Sequence, residues 1–308
     1  MKQSFLTGLL ACLAAVIVWG LQFPVAKEAF AVIDPFHVTL VRYFVALALL
    51  VPFFLWREGL RALRYDGHGP LAGSMGAMGM SISPFLVFYG VSITGAEHAA
   101  VIVALQPSTM ALTQWVVLKR RPAAFTLVSI LVAFLGVVMV VTRGGAGLKD
   151  SADALFGSVL ILGGGLCWVY YTLGTEHIKG WSVWRITVLT MLPGAATSII
   201  LIGLATTTGL LASPAPEAYL VVGPELLFLA LFGVLFGMLA WNFGTRRVGP
   251  LNSMLLTNLM PVATFTYSAL HGRAFESTEL IGAGIVLSAL IANNVYLRRV
   301  QLRQAASP

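Results

Sequence analysis

With 58% hydrophobic residues, 10% charged residues and a mean hydropathy of +0.89, this chain of 308 residues has too few polar side chains to cover a water-facing surface, which excludes a soluble globular fold. The formal net charge of +7 comes from 19 Lys and Arg against 12 Asp and Glu, with no basic cluster longer than three residues. That pattern argues against nucleic acid as a partner and leaves membrane topology and anionic lipid to account for the excess.

A helix needs roughly 20 apolar residues to cross a hydrocarbon core of about 30 Å. In chain order, the first half predicts such spans over 5–26, 36–56, 71–91, 99–118 and 123–142, and the second half over 155–175, 186–204, 226–244, 251–270 and 280–297. Arg42 is the single full charge inside these limits. Lys2 ahead of an apolar run resembles a secretory signal, but the run continues past Trp19 to Pro24 and further spans follow, so an uncleaved first span is expected. Backbone groups in lipid must be satisfied within each segment, and these runs are too long for barrel strands. The fold class expected is all-α: a polytopic membrane protein of ten transmembrane helices. Cys12 and Cys167 both fall inside spans, so neither a disulfide framework nor a metal site is expected.

The loops are short and leave no room for a soluble catalytic domain; the longest tract outside a span, 205–225, reads as a turn-rich connector. The 144–153 connector divides the chain into a first unit over 1–143 and a second over 144–308. With the N-terminus cytoplasmic, fourteen cations fall on the inside, in the N-terminus, the 57–64, 119–121, 179–185 and 246–247 segments and the C-terminus. The outside then holds four, Lys27, Arg143, Lys149 and Arg273. This bias predicts both termini in the cytoplasm and a multi-pass protein of the bacterial inner membrane.

The two halves repeat each other. Trp19 and Trp168 stand 149 positions apart, and Tyr89-Gly90 with Gln106-Pro107 matches Phe243-Gly244 with Met260-Pro261 at a spacing of 154. Each unit holds an odd number of spans, so the second inserts upside down relative to the first. Inverted repeats of this kind build two near-equivalent states open to opposite faces around one central site.

Trp19-Gly20, Phe23, Lys27, Pro35 and Arg42, followed by the mid-span prolines Pro107 and Pro261, resemble the EamA-type branch of the drug/metabolite transporter superfamily over essentially the whole chain. The resemblance implies a ten-span carrier, many of its kind exporting amino acids or other small metabolites, with spans one, three, four, six, eight and nine around a cavity. One departure is that the acidic residue common shortly after each mid-span proline is replaced by Arg120 and Ala274.

Polar side chains at membrane depth are costly unless they face a cavity or another helix. In span four, His98, Gln106, Thr109 and Thr113 share a helical face, as do Trp19 and Gln22 in span one and Trp168 and Tyr171 in span six. Of these, Trp19, Gln22, His98, Gln106, Trp168 and Tyr171, together with Tyr89, Trp241, Asn242 and Asn258, are the expected substrate-binding residues, the rings offering stacking or cation–π surface and the amides recognising a carboxylate or amine. Hydrogen bonding between helices is the competing reading for each of them. Glu97 and His98 are the proton-coupling candidates, Pro107 and Pro261 the candidate hinges, and Lys27 and Arg42 the cations expected at the external mouth, where they would attract a carboxylate or merely snorkel. Gly73, Gly76 and Gly79 in span three, and Gly233, Gly237 and Gly244 in span eight, permit close helix approach.

No cofactor or metal is expected, and an intramembrane enzyme is disfavoured because neither His-Glu-x-x-His nor Gly-x-Ser-x-Gly occurs. The expected partners are a small-molecule solute and membrane lipid, with a monomer as the assembly. The competing class is a non-transporting scaffold or lipid-interacting protein, which inverted repeats disfavour. Carriers of phosphorylated sugars or other organic anions should place Lys or Arg at mid-depth; with Arg42 assigned to the mouth, a neutral or zwitterionic amphipathic solute is expected.

Overall fold

The computed structural model describes residues 2–119, 121–141 and 151–306, and every regular element among them is helical. The helices are α1 (Lys2–Ala29), α2 (Pro35–Glu58), α3 (Gly69–Thr94), α4 (Ala96–Val103), α5 (Gln106–Leu118), α6 (Ala124–Val141) and α7 (Ser151–Gly174). They continue with α8 (Val183–Thr207), the short α9 (Pro216–Val221), α10 (Gly223–Val248), α11 (Pro250–Leu256), α12 (Met260–Leu270) and α13 (Ser277–Ala306). Most of the 144–153 connector lies outside the described residues.

Seven of these helices are long and apolar enough to cross a membrane, and an eighth span results if α4 and α5, bent by 40° at their junction, count as one. The sequence expectation of ten spans is therefore met only in part. The run at 251–270 is interrupted by a tight turn over Thr257–Leu259, and α6 is a shorter helix of 18 residues. In both broken helices a proline, Pro107 or Pro261, occupies the first turn of the second segment. There its missing N–H removes no bond that the helix would otherwise make.

Local chemistry sets the ends. Asp34 caps α2 by accepting from the backbone N–H of Phe36 and His37 at 3.0 and 3.1 Å, and Ser182 caps α8 by accepting from Arg185 N at 2.9 Å. The one-residue links after α3 and α10 are Gly95 and Gly249, at φ of +101° and +83°, a backbone region that a side chain makes unfavourable.

The exterior is as apolar as the hydrophobic core, and hydroxyl side chains are buried within that core. Leu10, Leu49, Leu131, Leu135 and Ile200 are exposed, whereas Thr39, Ser81, Thr187, Thr190, Ser198 and Thr264 have no exposed surface. Three of these hydroxyls join helices: Ser81 and Ser198 pair at 2.8 Å between α3 and α8, and Thr264 donates to the Gly20 carbonyl at 2.7 Å between α12 and α1.

The helix pairings are reciprocal between the halves. α1 packs on α10 as α7 packs on α3, α2 packs on the middle of α10 as α8 packs on the middle of α3, and α6 and α13 pack on each other. The middle of α3, Gly76–Ile82, and that of α10, Leu229–Phe236, are both wide π-helical turns, and they begin 153 positions apart. The helix breaks that open α5 and α12, at Gln106 and Met260, are 154 apart.

Candidate functional site: a central aromatic cavity

Both π turns face the middle of the bundle, where α1, α2, α3, α4, α5, α7, α10 and α12 enclose a cavity of about 90 Å³, enough for several waters. Trp19, Gln22, Arg42, Tyr43, Ser83, Phe88, Gln106, Trp168, Met238 and Met260 line it, with Gly79 and Gly233 from the two π turns. Wide turns of this kind displace backbone from regular register and are frequent at functional sites. Here the Gly233 carbonyl accepts the Trp19 indole N–H at 2.8 Å, which fixes that ring.

Trp19 and Trp168, the pair related by the sequence repeat, meet edge to face with ring centroids 5.2 Å apart. Trp241 lies 5.1 Å from Trp19, and Tyr171 stacks on Trp168 at 5.1 Å. Edge-to-face and offset contacts suit the ring quadrupoles and hold the aromatic wall rigid. Tyr171, Trp241 and Asn242 form a second layer behind this wall and are not among the cavity lining. Tyr171 Oη and the Asn242 amide bond each other at 2.9 and 3.1 Å, and Asn242 Nδ2 donates to Thr187 Oγ1 at 2.9 Å.

Arg42, expected at the external mouth, lines the central cavity instead and is 4% exposed. Its Nη1 donates to Gln22 Oε1 at 3.1 Å, and the guanidinium lies 4.0 Å over the Phe88 ring. The sequence put Arg42 near an end because it falls close to the start of span two; the helix packs that turn inward.

Two further cavities open at opposite ends of the bundle. One is lined by Lys27, Glu28, Glu97, His98, Tyr267, His271 and Arg273, and the other by Glu176, Lys179, Trp181, Thr245, Arg246 and Pro250. Lys27 donates to the Ser92 carbonyl at 2.6 Å. Beside the first cavity Arg273 bonds Glu97 and, at 3.0 Å, Glu279, while His98 Nε2 lies 3.7 Å from Glu279 Oε1. The sequence reading named Glu97 and His98 but missed Glu279 and the bridging role of Arg273, because their pairing is made across the α12–α13 loop. At the opposite end Arg246 donates to the Trp181 carbonyl, and Ser182 donates to Glu58 Oε1 at 2.5 Å.

The single polar face expected along span four is split by its break: His98 goes to the end cavity and Gln106 to the central one. Tyr89 lies outside both, exposed and packed on Phe36 at 5.5 Å. Asn258 is buried in the turn between α11 and α12, and neither of its amide atoms has a hydrogen-bond partner among the described residues. Of the six glycines expected at close contacts, Gly73 has open space beside it, whereas the other five touch neighbouring helices or rings.

A bundle with an apolar exterior, buried hydroxyls and amides between its helices and an aromatic central cavity is a multi-pass membrane protein built around an internal site. The chain belongs to the EamA-like transporter family, whose model matches it twice, over residues 6–142 and 155–295. That membership assigns it a role in membrane transport. It is 31% identical to the uncharacterized transporter YrdR of Bacillus subtilis (strain 168) over 307 residues, 98% of this chain and 96% of that one. It is 26% identical to the uncharacterized inner membrane transporter YedA of Escherichia coli (strain K12), covering 91% of this chain and 88% of the relative. A solved crystal structure with 18% sequence identity superposes with a TM-score of 0.67 over 97% of this chain and 99% of that chain, which shows the shared fold.

Proposed function

We propose that the protein is a secondary transporter of the bacterial inner membrane that exports a small amphipathic metabolite, such as an amino acid or derivative, by alternating access. In this reading it crosses the membrane ten times as two inverted units, 1–143 and 144–308, with both termini in the cytoplasm. It acts as a monomer in lipid, without cofactor or nucleic acid. The observation that carries the reading is the central cavity at the seam of two reciprocally packed halves, with a further cavity at each end. Trp19, Gln22, Gln106 and Trp168 face the solute, Tyr171, Trp241 and Asn242 brace that wall, and the breaks at Pro107 and Pro261 let the halves tilt. Glu97, His98, Arg273 and Glu279 close one end and are the candidates for proton coupling. The outward direction rests on resemblance to exporters.

Counterflow in proteoliposomes, with a panel of amino acids, amines and sugar phosphates, tests this reading. Exchange of amino acids that falls in Trp168→Ala, measured per folded molecule, is expected; uptake of sugar phosphates alone overturns it. Labelling of residues beside Arg299 from outside intact cells would overturn the orientation.

A further inference from the structure

We infer that Arg42 is the anion-binding residue of the central cavity, and that the transported solute therefore carries a carboxylate that this guanidinium holds. The inference rests on the transport reading above and specifies its solute.

The premise is an unbalanced charge. A buried guanidinium is costly unless it is paired, and inside a membrane such groups face a cavity and a partner. Arg42 is 4% exposed, yet its single side-chain hydrogen bond is to the neutral Gln22 amide, and its Nε has no partner among the described residues. Among the described residues no carboxylate pairs with it: Glu97 and Glu279 pair with Arg273, Asp66 with Arg185 and Asp34 with His37, and Glu225, whose Oε2 is buried without a partner, makes no ion pair with Arg42. The Phe88 face at 4.0 Å supplies a partial counter-field and holds the guanidinium plane, without supplying a negative charge.

Charge selects the anion. A guanidinium presents a planar fork that matches a carboxylate or a phosphate in two parallel hydrogen bonds, so the number of negative charges decides between them. Ser83 and Gln106 add neutral polar groups around the same cavity, and among the described residues no second cation lines it; Lys27 and Arg246 belong to the end cavities. One positive charge balances one carboxylate, and an amino acid's ammonium can lie against the Trp19 or Trp168 ring by cation–π attraction, whereas a phosphate monoester, close to doubly charged, would leave negative charge uncompensated in a low-dielectric site. The edge-to-face pair Trp19 and Trp168 then receives the apolar remainder of the solute.

The test uses matched solutes differing only in the acid group. Leucine with leucinamide, phenylalanine with phenylalaninamide, and glucose 6-phosphate are measured by counterflow in proteoliposomes and by solute-induced stabilisation of the purified protein against heating. The wild-type protein is expected to favour each acid over its amide by at least about 10-fold, because the amide leaves the guanidinium unpaired. Arg42→Gln is expected to bring each pair to near equality, and Arg42→Lys to keep part of the preference.

Equal handling of acid and amide by the wild type overturns the inference and needs no variant, so a misfolded Arg42→Gln does not rescue it. An undiminished acid preference in folded Arg42→Gln, or a preference for glucose 6-phosphate over both acids, also overturns it. Acid-specific, Arg42-dependent stabilisation without counterflow supports the anion site and overturns the transport reading. Counterflow of amides alone does the reverse, and the absence of both signals overturns both.

Discussion

Asn242→Ala separates packing from solute recognition in the aromatic wall. In the native protein the Asn242 amide joins α10 to α7 through Tyr171 and to α8 through Thr187, and Asn242 and Tyr171 are almost wholly buried. Truncation removes the Asn242 partner of the buried Tyr171 hydroxyl and leaves it Thr190 alone, a loss of about 1–3 kcal/mol. Thr187 keeps its own bond to the Val183 carbonyl at 2.7 Å, so its share is smaller. Side-chain hydrogen bonds between membrane helices average about 0.6 kcal/mol and reach roughly 1.7, which sets the coupling expected between positions 171 and 242. Asn242→Ala should therefore destabilise the folded protein by about 2–3 kcal/mol and Tyr171→Phe by about 1 kcal/mol. A double-mutant cycle should return a positive coupling in the stated range. The assay is equilibrium unfolding in mixed micelles, alongside counterflow per folded molecule. Stability matching wild type in Asn242→Ala, with specific transport abolished, would refute the bracing role and make Asn242 a solute ligand.

Gly79→Ala should lower the melting temperature, since the added methyl would stand 2.5 Å from Tyr171 Cβ and overpacking of this kind costs about 1–3 kcal/mol; an unchanged melting temperature would contradict the close α3–α7 approach. Gly95→Ala forces a side chain into φ +101° at the α3–α4 link and should cost about 1 kcal/mol or more, read in the same melting experiment. Arg273→Gln should destabilise by up to about 3 kcal/mol by leaving Glu97 and Glu279 buried without their cation. That value lies at the low end for a broken buried pair because the Arg273 side chain is 34% exposed. Unfolding that matches wild type would show that the cluster contributes no stability.

The helical class and most span positions were legible in the sequence because charge-free runs of span length have no soluble alternative. The repeat was legible from Trp19 with Trp168 and from Pro107 with Pro261, and those prolines do mark the breaks in α4–α5 and α11–α12. The π turn in α10 was not legible: Leu229–Phe236 contains no proline or polar residue to signal it, and its geometry follows from packing against α1 and α2. Trp19, Gln22, Gln106 and Trp168 were drawn to the cavity by polar or aromatic character on a helical face, and the structure brings them together there. Tyr171 and Asn242 carried the same signal but satisfy each other, a partnership that spacing within one helix does not reveal. Arg42 reads as a mouth residue because its neighbours along the chain lie near a helix start, whereas its place in the cavity lining depends on Gln22 of α1 and Phe88 of α3.

Site-directed labelling at the cavity tests alternating access around this site most directly. In a background with Cys12 and Cys167, both buried, replaced by Ala, Val103→Cys and Met260→Cys place thiols in the cavity lining. A membrane-impermeant maleimide is applied to right-side-out and inside-out vesicles, with and without a counterflow substrate. Alternating access predicts labelling of both positions from either face, with rates that the substrate shifts in opposite directions on the two sides. Labelling from one face alone, unchanged by substrate, would contradict a central site that opens to both sides of the membrane.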